Sequence, residues 1–176
     1  MIVICGVAYP LLMTGVAQVI FPDQANGSMV KNKDGQVVGS ELIGQNFKSL
    51  GYFHGRVSSI DYNAAASGSN NYGPTNKDML KRTQESIKVL KKENPTINTN
   101  DIPVDLITNS ASGLDPDISV RAAKFQVSRV SKETGVDKSK LITLIDETTK
   151  GRSLGLFGES RVNVLELNMK LQNIIK

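Results

Sequence analysis

SGLDPDISVRAAKFQVSRV, residues 112–130, carries two aspartates around a proline and then a glutamine within a run of helical spacing. If Asp115 and Asp117 start a helix, the chain is a folded scaffold; if they form a catalytic carboxylate pair, it is an enzyme. Asp115-Pro116 sets a capping side chain before proline, which is favoured at the first helical position. Asp117 then falls in the first turn, where the helix dipole favours negative charge. Acid–base catalysis would need a partner group with a shifted pKa, and no neighbour in the sequence supplies one. Helix initiation with Asp115 as the cap is therefore the expectation. Gln126 lies four residues after Ala122, inside the apolar stripe Ala122, Ala123, Val127 and Val130. A buried amide is costly unless hydrogen-bonded. Gln126 either fixes internal packing or is offered to a ligand or another chain, with Arg129 as its helical neighbour.

Outward from this stretch, the pattern predicts a helix ending at Gly135 and a second from Asp137 to Thr149, with Leu141, Leu144, Ile145 and Thr148 on one face. A third runs from Asn163 to Ile175. Asn163 and Glu166 resemble a capping box there, and Val164, Leu167, Leu171, Ile174 and Ile175 form the stripe. Upstream, Met79, Leu80, Thr83, Ile87 and Leu90 predict an amphipathic helix that ends at Asn94-Pro95. The polar connection TINTND follows, and PVDLIT at 103–108 reads as a strand. GYFHGRVSS, 51–59, reads as an irregular strand. Short strands between helices point to an α+β layer fold.

The N-terminus reads differently. MIVICGVAYPLLMTGVAQVIFP, residues 1–22, has no charged side chain. As one helix it would span about 30 Å, the thickness of a bilayer core. The expectation is a transmembrane helix over 1–22 and a linker over 23–36, with Asn26-Gly27 and Asp34-Gly35 as turn signals. A single mixed α/β domain would follow over 37–176. Gly6 and Gly15 would let a partner helix approach, and Pro10 is tolerated where neighbours satisfy the freed carbonyl. A cleaved signal peptide fits less well, for want of a basic leading region and a clear cleavage site.

YNAAASGSNNYGPTN, residues 62–76, is uncharged and dense in Asn, Ser, Gly and Ala. It reads either as a flexible loop or as an ordered one packed on a partner through Asn63, Ser67, Asn70 and Asn71. Small residues allow close approach, and amides both donate and accept.

The net charge of +4 is spread along the chain. Its densest cluster, Lys88, Lys91 and Lys92, fits the wet face of a helix and accompanies no nucleic-acid motif. With one cysteine, Cys5, no internal disulfide can form. One cysteine and one histidine, His54, cannot make the usual zinc ligand set, so no metal is expected. P-loop, GxSxG and HExxH motifs are absent. No catalytic residue is assigned.

The blocks GVAYPLLMTGVAQVIFPDQANGS, GSELIGQNF, YFHGR, SGSNNYGPTN, PVDLITNSASGLDP and GESRVNVLELN, in that order, resemble the KdpC family, the C chain of the bacterial potassium-transporting P-type ATPase. Members usually carry a longer N-terminal stretch, so this sequence starts almost inside the apolar run. The resemblance implies a non-catalytic, single-pass subunit of the cell membrane whose C-terminal domain lies on the extracytoplasmic face. Its implied partners are the potassium-conducting A chain, the ATP-hydrolysing B chain, the small F chain and the lipid bilayer. It implies no cofactor held directly. A tie to ATP would run jointly with the B chain, which the subunit would help to bind nucleotide, and the matching region, Ser112–Gln126, puts Gln126 and Arg129 forward as the nucleotide-related pair. A membrane-tethered module for a small extracytoplasmic ligand is the alternative.

Overall fold

The computed structural model describes residues 1–95 and 97–175. It divides into two compact units, Met1–Leu42 and Ile43–Lys176. In the first, the apolar N-terminus does not form the spanning helix expected from its composition. No helix among the described residues is long and apolar enough to cross a membrane. Residues Ile4–Ala8 wind as a π-helix, in which Tyr9 N–H reaches back to Ile4 O, and this widened stretch separates two α-helical residues, Ile2 and Val3, from the helix α1, Tyr9–Ile20. Proline brings no N–H, so the carbonyl four residues before Pro10 loses its α-helical partner, and the turn widens there. The 12 residues of α1 measure about 18 Å at 1.5 Å per residue, well short of a bilayer core.

The stretch read as a linker carries a helical turn, Pro22–Ala25 (α2), and strand β1, Met29–Lys31. β1 pairs antiparallel with β2, Val37–Ser40. The turn between them is fixed by Asn32 Oδ1, which accepts from Asp34 N at 3.0 Å and Gln36 N at 2.9 Å.

The second unit is α+β. α3, Lys77–Glu93, is capped by Asn76, whose side chain accepts from the Asp78 and Met79 amides. Its expected apolar face is only half-buried, with Leu80 exposed and Leu90 against the core. PVDLIT is a 3-10 turn over Val104–Leu106, not a strand, and Leu106 alone of that turn is buried. The preceding connection begins at Thr96, which lies outside the described residues.

Three short antiparallel strands form the sheet in the order β3 (Asp117–Ser119), β5 (Arg161–Asn163), β4 (Thr149–Lys150). Ile118 pairs with Val162, and both side chains are buried. Helices α4 (Val120–Thr134), α5 (Lys138–Thr148) and α6 (Val164–Ile175) complete the core with Ala123, Val130, Leu141, Ile145, Leu167 and Leu171. α4 ends on Gly135 at φ 75, the left-handed conformation glycine adopts without penalty. On α6 the buried set is Val164, Leu165, Leu167, Asn168 and Leu171, whereas Ile174 and Ile175 are exposed.

Candidate functional site

Helix α4 begins later than the aspartates suggest. Its cap is Ser119, whose Oγ accepts from Ala122 N at 3.0 Å. Asp115 is not the cap, and Asp117 belongs to β3 rather than to a first helical turn. Burying Ile118 in the sheet takes priority over starting the helix at proline. Asp115 Oδ1 instead accepts from Asp117 N at 3.0 Å, and its Oδ2 pairs with Arg56 Nη1 at 2.9 Å. Asp117 pairs with Arg161 at 3.0 Å; partial burial pushes its carboxyl above the usual range, against the pull of that guanidinium.

Gln126 is buried and its amide is occupied. Oε1 accepts from His54 N at 2.7 Å and from Arg129 Nη2 at 2.7 Å, while Nε2 donates to His54 O at 3.0 Å. Arg129, also buried, donates to Tyr52 O at 2.9 Å and to Leu50 O, and sits 3.6 Å from Glu93. One residue away on the same segment, Asn168 accepts from Phe53 N at 2.8 Å and donates to Phe53 O at 2.9 Å. Residues 50–54 are thus a strap: a turn over 50–52 whose carbonyls are held by the Arg129 guanidinium, then Phe53 and His54, whose backbone pairs with side-chain amides from α6 and α4 instead of with a neighbouring strand. Asn168 is the member that sequence reasoning missed. It lies four residues after Val164 on the buried stripe, the same signal that picked out Gln126.

The loop that follows the strap is folded back on this chain. Ser58 Oγ donates to Gly113 O at 2.6 Å and accepts from Tyr62 N at 2.9 Å. Tyr62 Oη donates to Arg56 O, and burial, reinforced by the Asp115 carboxylate, raises the phenol's pKa. Gly68 N donates to Ser112 O at 2.8 Å, and Ser67 Oγ to the same carbonyl at 3.3 Å. Gly113, at φ 69, must lack a side chain: a Cβ there would lie 2.6 Å from Ile60 and 2.9 Å from Gly68 O. So Ser67 is an internal anchor of the loop. Asn63 caps its own turn by accepting from Ala65 N. Asn70, which donates to Tyr72 Oη at 2.7 Å, and Asn71 stand exposed at the outer edge.

Between strap, loop and α3 lies a cavity of about 400 Å³, lined by His54, Arg56, Tyr62, Arg82 and Gln126 among others. Arg56 Nε and Arg82 Nε are buried without a hydrogen-bond partner among the described residues. His54 is half-buried, with Nε2 3.0 Å from Ser49 O. Burial, and then the Arg129 guanidinium, lower its pKa from the ordinary 6.5 against the opposing pull of Ser49 and Glu93. No group of three or more His, Cys, Asp or Glu among the described residues is placed to hold a metal ion.

In the N-terminal unit, Gly6 lies in the π-helical turn, Pro10 in the first turn of α1 and Gly15 near its middle; a Cβ on either glycine would meet nothing within 4 Å. Leu11, Leu12, Gly15, Val16, Val19 and Ile20 form a shallow apolar groove along α1.

A family model for the K+-transporting ATPase, c chain, matches residues 1–173. The chain is 56% identical over 175 residues to a potassium-transporting ATPase KdpC subunit of Bacillus cereus (strain ATCC 10987 / NRS 248), covering 99% of this chain and 91% of that one. Similar proteins of the same description occur in Bacillus anthracis, at 56% identity, and Bacillus mycoides (strain KBAB4), at 57%, with the same coverage of both chains.

Proposed function

Because the chain belongs to the KdpC family, the c chain of K+-transporting ATPases, we propose that it serves a potassium pump as a non-catalytic scaffold that binds other pump subunits and supports their assembly. The family places it in a potassium pump of the membrane, among other subunits. The observation that carries the scaffold reading is the strap. The buried polar groups that could have done chemistry, Gln126, Arg129 and Asn168, are spent on holding residues 50–54. The carboxylates of Asp115 and Asp117 are each engaged by an arginine. What remains for partners is the uncharged outer edge of the loop, Asn70 and Asn71, with Asn63 and Ser67 holding its shape, and the apolar groove of α1 beside Gly15.

The proposed partners are the conducting A chain, the ATP-hydrolysing B chain and the small F chain, with the unit Ile43–Lys176 on the extracytoplasmic face; family resemblance supports both statements. Any gain in the B chain's ATP affinity would pass through the strap, since the Gln126 amide has no remaining hydrogen-bonding group pointed at a nucleotide. Co-expression with the other pump chains tests the proposal. The full-length chain should bring them down, and deletion of residues 1–21 should abolish this by removing the α1 groove. An intact, active pump after that deletion would refute it. A second reading, a small-ligand module, draws on the cavity holding Arg56 and Arg82. Calorimetric binding of a metabolite by the purified chain alone would favour it.

A further inference from the structure

The loop joining β4 to β5, GRSLGLFGES at residues 151–160, shows large apolar side chains to solvent: Leu154 is 89% exposed, Leu156 76% and Phe157 65%. It is not a slack loop. Ser153 and Phe157 exchange both backbone hydrogen bonds, at 2.9 and 3.0 Å, Gly155 N reaches Arg152 O at 3.1 Å, and Leu156 N reaches Ser153 O at 3.1 Å. Below this closure, Arg152 clasps Glu159 through two bonds of 2.8 and 2.9 Å. Leu154 stands at φ 55, in the left-handed region where glycine or asparagine would hold the same turn at lower cost. Strain and exposure thus coincide on one leucine, and backbone strain of this kind points from geometry toward function.

We infer that this tip, Leu154, Leu156 and Phe157, inserts into the interfacial layer of an anionic lipid bilayer. The inference rests on the reading of the chain as a subunit of a membrane pump. Three side chains supply roughly 400 Å² of exposed area, short of the roughly 800 Å² per partner that a standard protein interface buries. A small convex apolar tip is suited to a soft apolar medium, into which it can be pressed without a matching groove. Charge fits as well. Lys150 and Arg161 face each other across β4 and β5, and Arg152 follows, so three cations flank the tip, each paired with a carboxylate, of Glu166, Asp117 and Glu159 respectively for Lys150, Arg161 and Arg152. Their contacts to Glu166, Asp117 and Glu159 are partly exposed ion pairs, which bind weakly and yield to lipid phosphate at little cost. Because the turn is already closed, insertion orders little further backbone.

The chain contains no tryptophan, so Phe157→Trp places a unique fluorophore at the tip. The full-length variant is reconstituted into phosphatidylglycerol vesicles with brominated acyl chains. Expected is a shift of emission to shorter wavelength, quenching by the brominated lipid and protection from aqueous iodide. Adding Leu154→Asp should abolish all three, and Leu156→Trp should repeat the result at a neighbouring position. Emission that stays at the water-exposed wavelength and is quenched by iodide overturns the inference. So does a shifted emission that brominated lipid does not quench, which would mark a protein surface as the occupant. Co-purification of the same variant with the other pump chains is scored separately, so loss of assembly and failure of insertion are told apart.

Discussion

Residues 50–54 and 62–76 use the same chemistry for opposite ends. Both depend on side-chain amides. Gln126 and Asn168 are buried and copy a strand neighbour for the strap, each accepting from one backbone N–H and donating to the carbonyl of the same residue. Asn70 and Asn71 lie in the open on a loop whose base is stitched down by Ser58, Ser67 and Gly113. An amide stabilises the fold when burial leaves it one partner, and serves recognition when the backbone beneath it is fixed and its own bonds are free to change. Substitutions in the two sets should therefore separate stability from association.

The largest effect is expected at Asn168. Asn168→Leu orphans both backbone groups of Phe53, each at about 1–3 kcal/mol, and should lower unfolding stability by about 4 kcal/mol in urea titrations. Gln126→Met should cost somewhat less, about 3 kcal/mol, because the segment at His54 is only partly buried. If either variant unfolds at the wild-type urea concentration, the strap is not held in the way described.

A smaller effect separates the true cap from the expected one. Ser119→Ala should remove about 1 kcal/mol. Asp115→Asn keeps the acceptor for Asp117 N and loses only a partly exposed ion pair with Arg56, so its cost should stay below about 1 kcal/mol. The reverse order would restore Asp115 as the cap.

His54 makes the strap mildly pH-sensitive. Its pKa is lower folded than unfolded, so the unfolded chain takes up the proton first as pH falls. The stability this contributes is complete above the ordinary value of 6.5 and is lost as pH drops through it toward the folded value. Melting temperature should fall between about pH 7.5 and pH 5.5, and His54→Asn should flatten the slope over that window. An unchanged slope would place the sensitivity elsewhere.

Local pattern was enough for much of the second unit. The stripes of α4 and α5, the first part of the α6 stripe through Leu171, the glycine at 135 and the role of Asn163 before α6 were legible in the sequence, since each is a matter of neighbours three or four residues apart, whereas Ile174 and Ile175, read as part of the same stripe, are exposed. Asn163 Oδ1 does accept from Glu166 N. What was not legible depends on distant partners. β3 is three residues long and has no periodicity to betray it, so the aspartates around Pro116 looked like a helix start. The strap is paired by residues 72 and 115 positions away, which no window along the chain brings together. The N-terminal run shows the converse failure. Composition predicted a membrane-spanning length, but hydropathy does not register that Pro10 interrupts the hydrogen-bond pattern, and the unbroken α-helix of that run is Tyr9–Ile20. Of the candidate residues, Gln126 was found by its position on the stripe and Arg129 as its helical neighbour three residues on, and both are buried.

The central claim, that the fold's interior amides brace a surface whose outer edge binds the pump, is tested most directly by charging that edge. Asn70→Glu with Asn71→Asp puts two anions on an otherwise uncharged loop and keeps a residue that tolerates the left-handed backbone at position 71. Quantitative co-purification of the full-length chain with the other pump chains should fall about tenfold or more, while the unfolding free energy from urea titration stays within about 0.5 kcal/mol of wild type. Undiminished co-purification by a folded double variant would contradict the account.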